Sequence, residues 1–176
     1  MKRLWPAALL LTACVRQPET YAPPMQRQPV LDGQAVRAPK RVVSMDDPEA
    51  DAYIVSGLPK GERGQWRWAG KRPTVRLYVT GTAGLSFVAD LSIADATFKD
   101  TGPVTLTYFV NGAPLTSTRF DRPGRQAIQH PIPPALLKPN GDNELAIEID
   151  KVWIAPEDKA PLGFILASVG LSRTAQ

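Results

Sequence analysis

The chain of 176 residues has one cysteine and one histidine. A single cysteine excludes an intrachain disulfide and a thiolate zinc site. A single histidine, His130, with no His-Glu-x-x-His pair leaves no zincin motif. There is no Gly-x-Ser-x-Gly nucleophile elbow and no phosphate-binding glycine loop. His130 precedes Pro131 inside an expected strand and reads as a surface or packing residue, not a base. Paired carboxylates such as Asp90 and Asp95 prove nothing by spacing, because glycosidase acids are defined by their separation in space. No apolar run reaches membrane length, and no segment sustains a 3.6-residue apolar stripe. These absences argue against a spanning helix, a helical bundle, a βαβ architecture and an enzyme. No cofactor is expected.

The cysteine that is present, Cys14, closes the run Leu11-Thr12-Ala13-Cys14 behind Lys2, Arg3 and the short apolar stretch from Leu4 to Leu11. This arrangement resembles the lipobox of bacterial lipoproteins. The resemblance implies a diacylglyceryl group on the Cys14 sulfur, cleavage after Ala13 and acylation, as by palmitate, of the freed amine. Several acyl chains anchor stably where one binds marginally, at about 0.8 kcal/mol per buried CH₂. Val15 follows the cysteine where an aspartate would signal inner-membrane retention, so the expected address is the bacterial cell envelope, at the outer membrane. An ordinary secretory signal cut elsewhere is the alternative. Cleavage removes two of the 21 bases and none of the 17 acids, so the net charge falls from +4 to +2. That balance gives no argument for a nucleic-acid partner.

Residues 14–41 are rich in proline and glutamine and without apolar periodicity, which predicts a disordered, lipid-anchored tether. From 42 to 172 the chain alternates short strands with turns, and 173–176 form a tail. Val75, Leu77 and Val79 share one face, as do Leu85, Phe87, Leu91 and Ile93, and again Leu145, Ile147 and Ile149. Val104 to Val110 ends at Asn111-Gly112, suited to a type I′ hairpin, and Leu115 to Phe120 returns. Arg122 to Arg125 is a second turn, Arg125 to Ile132 a strand, and Ala135 to Leu137 a short helical turn. Gly163 to Leu171 is the last strand, and Ala52 to Val55 a weaker one. The pattern predicts one all-β antiparallel sandwich.

Val110-Asn111-Gly112, then Ile132-Pro133 and Leu136-Leu137, then Asn140-Gly141-Asp142-Asn143 before Leu145 to Ile147, resemble the galactose-binding-like jelly-roll domain found in modules attached to glycoside hydrolases. Pro161 to Ile165 resembles the closing strand of such modules. The resemblance covers about Val42 to Leu171 and rests on turn and core residues. It implies a jelly-roll sandwich and a binding role, with a glycan or envelope polymer as partner and loops at one edge as the site. The alternative is a protein-interaction or assembly module of the envelope that docks another protein and binds no sugar.

Candidate ligand-binding residues follow from aromatics set among charges. Lys60 to Arg72 holds Trp66 and Trp68 among Arg63, Arg67, Lys71 and Arg72. Tryptophan faces stack on sugar C–H faces and guanidinium groups hold anions, so Trp66, Trp68 and Arg72 read as a platform. The competing reading places both tryptophans in the core, with Arg67 on the solvated back of the strand. Trp153 is a further stacking candidate, or a buried strand end. Calcium occurs in this fold type, and Asn140 and Asp142 are the candidate ligands. Turn chemistry offers another account of them, with Gly141 supplying the positive φ.

Overall fold

The computed structural model of the chain describes residues 40–62 and 64–173. Cys14, the signal segment 1–13, most of the tether, Arg63 and residues 174–176 lie outside the described residues. The strands are β1 (Val42–Ser44), β2 (Ile54–Ser56), β3 (Arg67–Ala69), β4 (Thr74–Val79), β5 (Leu85–Ile93), β6 (Val104–Val110), β7 (Ala113–Phe120), β8 (Gly124–Pro131), β9 (Gly141–Ile149), β10 (Trp153–Ile154), β11 (Pro161–Leu162) and β12 (Phe164–Arg173). Between them lie α1 (Ala50–Tyr53), α2 (Asp95–Thr101) and a 3₁₀ turn at Pro134–Leu136.

Two five-stranded antiparallel sheets make a jelly-roll sandwich. In the first sheet the order is β1-β12-β5-β8, with β3 also on β12; in the second it is β2-β4-β9-β6-β7. The chain passes back and forth between them, so sequence neighbours such as β4 and β5 lie in opposite sheets. Strand β10 pairs only with β11, as a small hairpin.

Period-two patterning explains the inner faces. Val75, Leu77 and Val79 of β4 face Phe87, Leu91 and Ile93 of β5 across a core completed by Leu106, Tyr108, Leu145, Ile147, Phe164 and Leu166. The Phe87 and Tyr108 rings meet at 5.4 Å between centroids, tilted at 57°. Such aromatic pairs prefer tilted or offset contact.

Three expectations change. Ala52 to Val55 is split between α1 and β2. Helix α2 was not legible, because seven residues give barely two turns of periodicity. It ends at Gly102, with φ 65° and its N–H on the Phe98 carbonyl. The positive φ in the turn before β9 falls on Asn140 (φ 50°), not on Gly141. The Asn111-Gly112 hairpin has φ 50° and 82°, as a type I′ turn requires.

That hairpin is locked to β9 by a buried amide network. Asn143 Oδ1 accepts from Asn111 Nδ2 at 2.8 Å and from the Lys138 N–H at 2.7 Å. Asn143 Nδ2 donates to the Lys138 and Gly141 carbonyls, each at 3.0 Å. Every hydrogen-bonding position of this fully buried amide is used.

Replacing Asn143 by alanine strands several of these buried groups, each costing about 1–3 kcal/mol when left unpaired. Asn143→Ala is expected to lower stability by about 3 kcal/mol, read in urea as a lower midpoint at unchanged slope. A loss below about 1 kcal/mol would show that water substitutes for the amide.

Candidate functional site

The outer face of the first sheet carries a hollow whose floor follows from strand register. Trp68 of β3 lies opposite Ile165 of β12, Ile165 opposite Ser92 of β5, and Ser92 opposite Arg125 of β8. In the next row Asp90 of β5 lies opposite Ser168 of β12 and Ala127 of β8. Between these rows β12 has a bulge, where the register shifts from Leu166 to Ser168. Bulges re-aim side chains and recur beside binding sites.

The hollow has a volume of about 410 Å³ and is lined by Asp46, Gln65, Trp66, Asp90, Ser92 and Arg125, with Leu91, Ile165 and Ala167 beneath. Trp66 is 49% exposed, one of the largest apolar surfaces the fold leaves open. Its ring meets Trp68 edge to face at 6.4 Å and 87°, which holds it upright at the rim. Across the floor Arg125 Nε donates to Asp90 Oδ1 at 2.9 Å while Nη2 donates to Asp90 Oδ2. This bidentate bond holds the Asp90 carboxyl below its ordinary value and raises the Arg125 guanidinium. Asp90 is thus an ionised acceptor in a fixed orientation, and Gln65 and Ser92 add neutral donors and acceptors.

The structure inverts the strand-face expectation for the tryptophans. Arg67 points inward and is 2% exposed, while Trp66 and Trp68 lie outside the core. Arg67 Nη1 donates to Asp51 and, at 2.8 Å, to the Pro59 carbonyl. Its Nε is buried with no partner among the described residues. The Arg67 guanidinium, and after it the Gly61 N–H, hold the Asp51 carboxyl below its ordinary value of 3.8.

The remaining candidates are dispersed. Arg72 leaves the tryptophans altogether: its guanidinium stacks 4.1 Å from the Phe109 ring and bonds Glu148 at 3.0 Å, both in the second sheet. Trp153 is half-buried, and its indole N–H donates to Asp100 of α2 at 2.5 Å. Trp153 lines none of the hollows described here. Asp142 lines a separate hollow with Arg76, Asn111, Lys138 and Glu144, where Arg76 bonds Glu144 at 2.8 Å. Two cations beside Asp142 are poor company for calcium, and Asn140 is not among that lining. Among the described residues no three His, Cys, Asp or Glu side chains form a group that could hold a metal. His130 lies half-buried on the inner side of β8, its ring 4.9 Å from Tyr108 and its Nε2 3.5 Å from Thr118 Oγ1.

Of the ligand-binding candidates read from the sequence, Trp66 lines this hollow, beside Asp90, Arg125, Asp46 and Gln65, which the sequence did not single out as a group. Asp90 and Arg125 are 35 residues apart, and only the β5–β8 register brings them together.

No family model and no curated protein matches the chain. Among solved structures, the Podospora anserina GH26-CBM35 β-(1,4)-mannanase is similar at 14% identity and a TM-score of 0.46, over 78% of this chain and 28% of that one. A family 35 carbohydrate binding module from an environmental isolate is similar at 12% identity and 0.36, over 78% of this chain and 92% of that one. The carbohydrate-binding module CBM36 in complex with calcium and xylotriose is similar at 13% identity and 0.39, over 76% of this chain and all of that one.

Asp51, depressed in the folded state, contributes stability above the ordinary carboxylate range, and that contribution is lost as pH falls through its lowered value. Asp51→Ala, which leaves Arg67 buried without a counter-charge, is expected to destabilise the fold more than Arg125→Ala, whose partner Asp90 can be solvated. The gap between wild type and Asp51→Ala should narrow as pH falls below about 4. Thermal unfolding across pH measures both. Equal losses for the two variants at neutral pH would show that Arg67 is not anchored by Asp51.

Proposed function

We propose that the chain is a lipid-anchored lipoprotein of the bacterial envelope, held at the outer membrane, whose sandwich binds a carbohydrate polymer without chemically altering it. The observation that carries the binding half is the hollow over β5, β8 and β12. Sugar recognition needs an apolar plane for the C–H face of a pyranose ring and planar polar groups around it for the hydroxyls. Trp66 supplies the plane. The Asp90–Arg125 pair supplies an acceptor edge and outward donors, and Gln65, Ser92 and Asp46 complete the ring. The proposed site is on a sheet face with one loop wall, where the resemblance implies loops at one edge.

The state of these groups supports the non-catalytic part of the reading. Asp90 is held ionised by two hydrogen bonds from Arg125, so it is a poor proton donor. Both pieces act by holding hydroxyls in place. The anchoring half rests on the run Leu11-Thr12-Ala13-Cys14 behind Lys2 and Arg3, and Val15 after the cysteine supports the outer-membrane address.

Two experiments test the halves separately. The full chain, purified in detergent, is applied to immobilised envelope polysaccharides and peptidoglycan fragments. Trp66→Ala, a change at an exposed side chain, is expected to weaken binding about tenfold or more at unchanged thermal stability. Binding that survives both Trp66→Ala and Asp90→Ala would place any glycan site elsewhere, and no binding at all would favour a protein partner docking on the sandwich. Separately, cells fed labelled palmitate should label the wild-type chain and not Cys14→Ser. An unlabelled wild-type chain would remove the lipid anchor.

A further inference from the structure

The ionisable groups lining the Trp66 hollow are Asp46, Asp90 and Arg125. Arg125 is committed to Asp90 through two hydrogen bonds, which leaves the charge of Asp46 over. Asp46 is exposed and makes no ion pair among the described residues. The described cations that approach the same stretch of chain are spent on its neighbours. Lys40 pairs with Asp47 and, at 3.7 Å, with Glu49, and Arg67 pairs with Asp51. Turn chemistry does not use Asp46 either, since it is Asp47 Oδ1 that accepts from the Glu49 N–H at 2.8 Å.

Beside this unanswered carboxylate stands the half-exposed Trp66 ring, in the same lining. An indole face attracts a cation placed within about 6 Å of its centroid. An ionised carboxylate accepts from a charged donor about twice as strongly as from a neutral one. The two together are complementary to an ammonium group. A carboxylate, phosphate or sulfate on a sugar would meet Asp46 with no uncommitted cation among the described lining residues to offset the repulsion. A hydroxyl or an acetamide is accepted there, with a neutral hydrogen bond only.

We propose that the sugar unit held in the Trp66 hollow is a hexosamine with a free amino group, its ammonium donating to Asp46 beside the Trp66 ring. The inference rests on the carbohydrate reading of that hollow and names the class of sugar. Asp46 is then the residue that sets specificity, while Asp90, Arg125, Gln65 and Ser92 hold the hydroxyls of the same ring.

The test uses the full chain in detergent and three probes on one backbone, the β-1,4-linked hexamers of glucosamine, N-acetylglucosamine and glucuronic acid. Asp46→Asn keeps the shape and an acceptor oxygen but removes the charge. Glu157→Gln removes an exposed acid in the turn between β10 and β11, so it changes net charge by the same amount away from the hollow. Affinity is expected to fall from glucosamine to N-acetylglucosamine to glucuronic acid, the first step by about fivefold, the size of one exposed ion pair. Asp46→Asn should bind the first two hexamers alike, and Glu157→Gln should keep the wild-type ratio, both at unchanged melting temperature. A wild-type ratio near one, a preference for the acidic hexamer, or a ratio that survives Asp46→Asn would overturn the inference. So would a ratio that Glu157→Gln lowers equally, since the preference would then report net charge. A chain that binds polysaccharides on the array through Trp66 but not the glucosamine hexamer keeps the carbohydrate reading and loses this one. If it binds no saccharide, both fall.

Discussion

Strand β12 has one long edge that two different strands must share. Along its other edge it pairs with β5 over nearly its whole length, from Ile165 to Arg173. On the shared edge β3 takes Phe164 to Leu166 and β1 takes Ser168 to Gly170. Between them Ala167 is left to the chain leaving β1, and its carbonyl is satisfied by the Met45 N–H at 2.9 Å. The bulge falls at the same place. Backbone groups at a sheet edge must find partners, so the segment after Ser44 is pulled across the gap, and it carries Asp46 to a position that lines the Trp66 hollow. Gly170 shows how tightly β1 is drawn in. A Cβ there would stand 2.2 Å from the Arg41 carbonyl oxygen and 2.5 Å from Val42 Cα.

The same pairing decides which way β3 faces. Arg67 is opposite Leu166, and Leu166 opposite Leu91, both inward residues, so Arg67 must follow them to the inner side. Burying a guanidinium is costly unless it is paired. Asp51 and the Pro59 carbonyl provide that pairing from the excursion between the two strands. Trp68 is thereby forced outward, and Trp66 leans on it at the rim. Period two predicts that Trp66 and Trp68 share a side and that Arg67 takes the other. It cannot say which side is the core. Ordinary hydrophobicity puts the indoles inside, and here register on β12 overrides it.

This divides what the sequence makes legible from what it does not. Strands β4 and β6 alternate cleanly because each has one face in the core and one turned outward, and β5 and β9 do so except at Leu85–Phe87 and Leu145–Ile147, where three residues in a row are buried. Asn111-Gly112 announces its turn because only φ-tolerant residues fit there. Helix α2 and the β10–β11 hairpin are too short for periodicity to show, and each depends on tertiary contacts such as the Trp153–Asp100 hydrogen bond. The candidate site divides in the same way. Trp66 stands out by residue type. Asp90 and Arg125 look like ordinary surface charges on separate strands, because a cross-strand pair exists only once register is set.

Electrostatics then shape what the Trp66 hollow can favour. Asp90 and Arg125 neutralise each other across a bidentate bond, so the floor presents oriented hydrogen-bonding edges with little net field. Holding the pair costs side-chain entropy before any ligand arrives, which leaves less to be lost on binding. Arg125 is 78% exposed, so its contact with Asp90 adds little to folding and its fixed orientation matters more for what settles on it. A floor of that kind discriminates poorly between charged ligands and well between arrangements of neutral hydroxyls, since a misplaced hydroxyl leaves a desolvated carboxylate or guanidinium edge unpaired. The uncompensated charge of this hollow sits instead at Asp46, in its wall. There it repels a negatively charged substituent while accepting a hydrogen bond from a neutral one.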